Sequence, residues 1–169
     1  LYRPTWKNLQ ALFAVAGVPL AACFFTNFIM GVRHSSDRNT GPSPALAYPA
    51  FMRACADLFL VQLRTQQPRV IITLGMVPFQ LLQLVSTDLR YRALGITEFD
   101  ALDARGAHLF ANVTFDDAAH TSATVLPICH PCQPQNGRRR SFSTSSLYSD
   151  EATLLKHVLG TIVPATIAG

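Results

Sequence analysis

Few residues of this chain have the chemistry to act on another molecule. Asn27 closes an otherwise apolar run, and its amide offers two donors and two acceptor lone pairs. Leaving them unanswered in a core is costly. At the carboxyl end of a strand such a side chain either meets a ligand with an amide-like edge, such as a pyrimidine, or pins a neighbouring loop. Cys129-His130-Pro131-Cys132 admits three chemistries. Its C-x-x-C spacing is that of thiol–disulfide oxidoreductases, although Pro134, Asn136 and Gly137 oppose the helix that such a motif opens. As zinc ligands the two thiols would need two further partners. Cys23, Cys55, His108 and His120 are present but show no second paired spacing, so no metal or other cofactor is expected. In the third reading His130 is the working residue and the cysteines are its neighbours.

Charge adds a second theme. The net charge is +4 and the pI about 9.1, with twelve Arg but only two Lys among the basic residues. Arginine is suited to bidentate phosphate contact. Arg33, His34 and Arg38 sit together, Arg138, Arg139 and Arg140 are consecutive, and Glu98 to Asp117 is acidic. Both basic clusters lie in Gly/Ser/Pro-rich stretches, where they either meet a polyanion or form solvated loops.

The elements that must position these residues follow from the apolar pattern. Of 169 residues, 49% are apolar and 14% charged, against roughly 25% charged in ordinary soluble domains. This excludes a disordered tail or a charge-laced coiled coil and raises the question of a membrane span, because no charge occurs between Lys7 and Arg33. Gly17-Val18-Pro19 interrupts that run as a helix stop. It therefore reads as a helix over Thr5–Ala16 followed by a buried strand over Ala22–Ile29, continuously apolar as strands covered on both faces are. No membrane partner is expected. Leu1-Tyr2-Arg3-Pro4 lacks the marks of a signal peptide, so the four cysteines are expected as thiols in a reducing, cytoplasmic compartment, and the chain reads as incomplete at its N-terminus.

A loop over Gly31–Tyr48 leads to a helix from Pro49 to Gln67, a strand over Val70–Gly75 and a helix over Phe79–Val85. Ser86–Gly106 gives little. Leu109–Phe115 and Ala123–Ile128 read as strands, Cys129–Tyr148 as a second long loop, and about Asp150–Ile162 as a closing helix capped by Ser149 or Asp150. The whole, 1–169, predicts one α/β domain: a three-layer α/β/α sandwich with a central, mostly parallel sheet. Ligands of such sheets bind beyond the carboxyl ends of the strands, which puts Asn27 and His130 on one rim.

Three motifs in order then carry a resemblance. Thr26-Asn27 after an apolar strand is followed by Gly31-Val32-Arg33. A helix bearing Cys55 leads into Gln67-Pro68-Arg69-Val70-Ile71-Ile72-Thr73-Leu74-Gly75, and Leu126-Pro127-Ile128-Cys129-His130-Pro131 closes the series. From about Trp6 to Arg140 the chain resembles the uracil-DNA glycosylase superfamily, particularly its bacterial and archaeal branches. The resemblance implies that Asn27 reads the edge of a flipped-out base, and that His130 hydrogen-bonds a base carbonyl and stabilises negative charge on the leaving base. It also implies that the loop from Cys132 to Arg140 probes the duplex, with Arg33 and the Arg138–Arg140 triplet on phosphate.

The implied activity is hydrolysis of an N-glycosidic bond in base-excision repair, with DNA as partner. Extruding the base costs a few kcal/mol, a preorganised donor at its carbonyl returns about 3 kcal/mol in the transition state, and a basic rim supplies salt-dependent affinity. The chain departs from the family in three ways. The Gly-rich motif that carries the water-positioning group lies upstream of the first helix in the family and is not seen here. Cys132 follows His130-Pro131 where Ser or Ala is usual. Only Cys55 resembles a ligand of the family's iron–sulfur branch, so no cluster is expected. A non-catalytic nucleic-acid-binding member and a thiol redox protein using Cys129 and Cys132 are the alternatives.

Overall fold

The computed structural model describes residues 4–31, 43–131 and 148–162. Arg33, His34, Arg38, Cys132 and Arg138–Arg140 lie outside them. Helix α1, Pro4–Ala16, buries Leu9, Phe13 and Ala16 at helical spacing. It stops where the sequence says it should: Val18 N–H donates to Phe13 O at 2.8 Å across Gly17, which takes φ +74°, and a left-handed glycine of this kind ends many helices.

The expected strand over Ala22–Ile29 does not form. Leu20–Ala22 is a single 3₁₀ turn, and 23–31 runs on without joining a sheet. Phe28 is buried, but Phe24 and Phe25 are 54% and 42% exposed, and Phe25 rests edge-on against Trp6 with ring centroids 5.0 Å apart. The apolar run does not supply a hydrogen-bonding neighbour, and among the described residues no strand pairs with it. No helix among the described residues is long and apolar enough to cross a membrane.

A 3₁₀ turn over Pro44–Ala47 leads into α2, Pro49–Gln66. Its first residue is a proline, with φ already set for a helix, and Gln67 closes it in the left-handed region at φ +43°, donating to Leu63 O. Strand β1, Val70–Leu74, follows, then α3, Met76–Leu82. The uninformative middle holds two six-residue helices, α4, Thr87–Arg92, and α5, Phe99–Ala104. Ser86 starts α4 as its cap: the hydroxyl accepts from Leu89 N–H at 3.0 Å and donates to Thr114 O at 2.7 Å. Strands β2, Phe110–Thr114, and β3, Ser122–Ile128, and helix α6, Glu151–Ile162, complete the order.

Among the described residues the sheet has three strands in the order β1-β3-β2. β1 runs parallel to β3, in register from Val70 opposite Thr124 to Leu74 opposite Ile128, whereas β2 is antiparallel to β3. The sheet is therefore mixed, not mostly parallel. The reason lies in the short polar link from Phe115 to Thr121, because a parallel crossover needs a dozen or more residues. The link is a hairpin, held by Phe115 N–H on Thr121 O and by Asp117 accepting from Thr121 N–H and Oγ1 at 2.7 Å each.

β3 feeds two cores from alternate residues, as a strand must. Ala123 and Val125 join Phe59, Phe79, Leu89 and Phe110, on the side of α2 to α5. Leu126 and Ile128 join Leu9, Phe13, Leu154 and Val158, from α1 and α6. Helices thus cover both faces.

β1 is different on its outer side. Arg69 O and Gly75 N–H both bond to β3, so the odd-numbered residues turn their backbone groups inward. Val70, Ile72 and Leu74 turn theirs outward, toward the 23–28 segment, where no strand of the described residues pairs with them.

Candidate functional site

The carboxyl ends of β1 and β3 finish together. Gly75 N–H donates to Ile128 O at 2.7 Å, the last bond of the parallel pair, and Gly75 then turns into α3 with φ +95°. That conformation is open to glycine and strained for other residues. A Cβ at Gly75 would lie 3.6 Å from His130 Cβ, so His130 stands directly over the turn.

Two bonds hold the segment that carries His130. On one flank, Cys129 N–H donates to Glu151 Oε1 at 2.6 Å, from the first residue of α6. On the other, Asn8 Nδ2 of α1 donates to Pro131 O at 2.7 Å. The histidine, itself half-buried, is thereby positioned by two helices that pack against each other.

Asn27 and His130 line one cavity of about 1320 Å³, together with Gly75 and Cys129. His130 follows the end of β3, whereas Asn27 does not end a strand. It is exposed, in a segment outside the sheet, and the side chain makes no hydrogen bond with the described residues. Its neighbour Thr26 is tied instead, through Oγ1 to Gln62 Oε1 of α2 at 3.0 Å. The amide is thus exposed rather than buried, on a residue that lines the cavity.

That cavity is a long groove rather than a fitted pocket. It runs along the outer edge of β1 between that strand and the 23–28 segment, and its volume exceeds the roughly 300–1,000 Å³ usual for small-ligand sites. Sequence reasoning missed four charged residues that line it: Arg69 and Lys156, and the carboxylates of Glu98 and Asp100. The last two belong to a stretch read only as acidic. Their signal was available in part, since Glu98 and Asp100 bracket the start of α5, where acids favour a helix.

The remaining candidates separate. Arg33, Arg138, Arg139, Arg140 and Cys132 lie outside the described residues. Cys129 is half-buried; Cys23 and buried Cys55 are free thiols, and burial pushes the Cys23 thiol up from its usual range. Cys55 Sγ sits 3.5 Å from Met30 N–H. His108 is buried against Asp103, Nδ1 to Oδ1 at 3.2 Å, away from this rim. Among the described residues no three His, Cys, Asp or Glu side chains gather as a metal site.

Nothing matches in comparison with family models, curated proteins or solved structures. The site must be judged on its own geometry.

Proposed function

We propose that this chain is a uracil-DNA-glycosylase-like domain that receives a flipped-out pyrimidine between Asn27 and His130 and hydrolyses its N-glycosidic bond, acting in base-excision repair in the cytoplasm. The observation that carries the reading is that these two residues, distant in sequence, line the same cavity, His130 at the carboxyl end of the parallel strand pair. The helices on both faces of the sheet support a three-layer α/β/α frame of the kind that binds ligands there.

In this reading the Asn27 amide matches the donor and acceptor pattern of a pyrimidine edge. His130 donates to the carbonyl on which negative charge grows as the bond breaks, a role in which a fixed donor contributes about 3 kcal/mol. Its two flanking bonds keep it from reorganising at that moment. Arg33 and the Arg138–Arg140 triplet contact phosphate, and Arg69 and Lys156 add positive charge along the groove. Water must be activated by a further group, and Glu98 and Asp100 are the carboxylates of this cavity.

The test is a single-turnover assay on oligonucleotides containing one uracil, paired with binding to the same strand without it. Cleavage is expected, falling about a hundredfold in His130→Ala, with loss of uracil preference in Asn27→Ala. Replacing Arg138, Arg139 and Arg140 together by Ala should flatten the salt dependence of binding. Uracil-selective binding without cleavage identifies a non-catalytic member. Neither cleavage nor selective binding refutes the proposal.

A further inference from the structure

Helix α2 is apolar on two sides, and among the described residues only one is buried, Phe51 alone of the other side resting near Gly31. Met52, Cys55, Phe59 and Leu63 are buried beneath it. On the outward side Phe51, Ala54, Leu58, Val61 and Thr65 follow at intervals of three and four, and all five are exposed; Phe51, Leu58 and Val61 remain 37%, 43% and 45% accessible. This is the a/d spacing of a helix that pairs with another helix. An 18-residue helix presents it over about 27 Å. A helix apolar on both sides belongs between two partners.

The charges beside this stripe indicate what the second partner is. Asp57 and Arg64 occupy the position preceding each of Leu58 and Thr65, seven residues apart on the same flank. Neither makes an ion pair within 4 Å among the described residues, although Arg64 lies near enough to Asp117 to attract its carboxylate. The other flank carries Cys55 and Gln62, which are uncharged. When two copies of one helix lie antiparallel, these preceding positions face each other, so Asp57 of each copy meets Arg64 of the other. The same two-fold axis sets Leu58 against Val61 and Ala54 against Thr65. A parallel pairing would set Asp57 against Gln62 and leave Arg64 opposite no residue of the partner helix. A self-complementary patch in which residue i meets j and j meets i is the signature of a two-fold interface.

We propose that the outward face of α2 joins a second copy of this chain in an antiparallel, two-fold helix pair. One helix face is small beside the roughly 1,600 Å² of a standard interface, and a dissociation constant in the micromolar range is expected.

Sedimentation velocity of the whole chain at about 5 to 500 µM, spanning that range, tests it. A monomer–dimer equilibrium is expected. Leu58→Glu should leave the far-UV circular dichroism unchanged, because Leu58 is already exposed, and should weaken dimerisation more than a hundredfold. Charge reversal is the sharper arm. Asp57→Arg and Arg64→Asp should each weaken the dimer about tenfold by setting like charges opposite one another, and the double variant should regain the original constant. A monomer throughout, a dimer indifferent to Leu58→Glu, or a double variant no better than its parents overturns the proposal.

Discussion

Replacing Glu151 by alanine should loosen the His130 segment, and the size of the effect can be worked from two roles of one carboxylate. Glu151 accepts from Cys129 N–H at 2.6 Å, and it is the first residue of α6. A hydrogen bond to a charged group contributes about 1.5–3 kcal/mol, the lower part of that range applying here because both residues are only half-buried. An acid in the first turn of a helix adds about 0.3–1 kcal/mol. The sum is about 2 kcal/mol. For a chain of this length that lowers the melting temperature by about 4–8 °C. If the segment opens locally, exchange of the Cys129 amide proton speeds up roughly thirtyfold.

Glu151→Gln retains an acceptor without the charge, so it should lose about half as much. Asn8→Ala removes the neutral, exposed bond on the other flank and should cost less still, at most about 1 kcal/mol. The assays are thermal unfolding followed by circular dichroism and amide exchange read at Cys129. A melting point within about 1 °C of the parent together with unchanged exchange in Glu151→Ala would refute the view that α6 holds His130. So would an Asn8→Ala loss larger than that of Glu151→Ala.

Three further outcomes are expected. Gly75→Ala should destabilise by about 1–3 kcal/mol, measured by urea unfolding; the added Cβ would be 3.6 Å from its nearest neighbour, so the cost comes from φ +95° and not from a clash. Ser86→Ala should cost about 1–2 kcal/mol in the same assay, since one hydroxyl both caps α4 and satisfies Thr114 O. Asp150 caps α6 by accepting from Thr153 N–H at 2.8 Å. That bond holds its carboxyl below the usual range against the opposing effect of burial. A lowered folded value means stability that is fully present above about pH 4 and lost as pH falls through the folded value. Melting points recorded from neutral to acid pH should therefore fall less in Asp150→Asn than in the parent.

Much of this arrangement was legible in the sequence because it rests on local chemistry. Gly17 and Pro19 end α1, Pro49 opens α2, and the apolar runs at Val70 and Ala123 become β1 and β3. His130 lies beyond the end of β3, a run whose extent the apolar pattern fixed. What failed depended on partners. The run from Ala22 to Ile29 carries the composition of a strand, yet a strand exists only where a neighbour supplies hydrogen bonds, and the open edge of β1 lines the same groove without pairing with it. The pairing of β2 was open to the length of the Phe115–Thr121 link, which favours a hairpin. Helices α4 and α5 are too short to show a period, and only their starting residues mark them. Glu98, Asp100, Arg69 and Lys156 reach the groove by tertiary packing that no spacing in the chain reports.

The outer edge of β1 gives the molecule a built-in gauge. Along five residues, protons locked against β3 alternate with protons that face the groove: Ile71 and Thr73 on one side, Val70, Ile72 and Leu74 on the other. In the free protein, amide exchange along this strand should rise and fall with a period of two. Anything that lays an extended backbone in the groove silences the even-numbered half of that pattern and leaves the odd half unchanged. A nucleotide held at the Asn27–His130 end would alter neither, so five neighbouring amides can tell which of the two has entered.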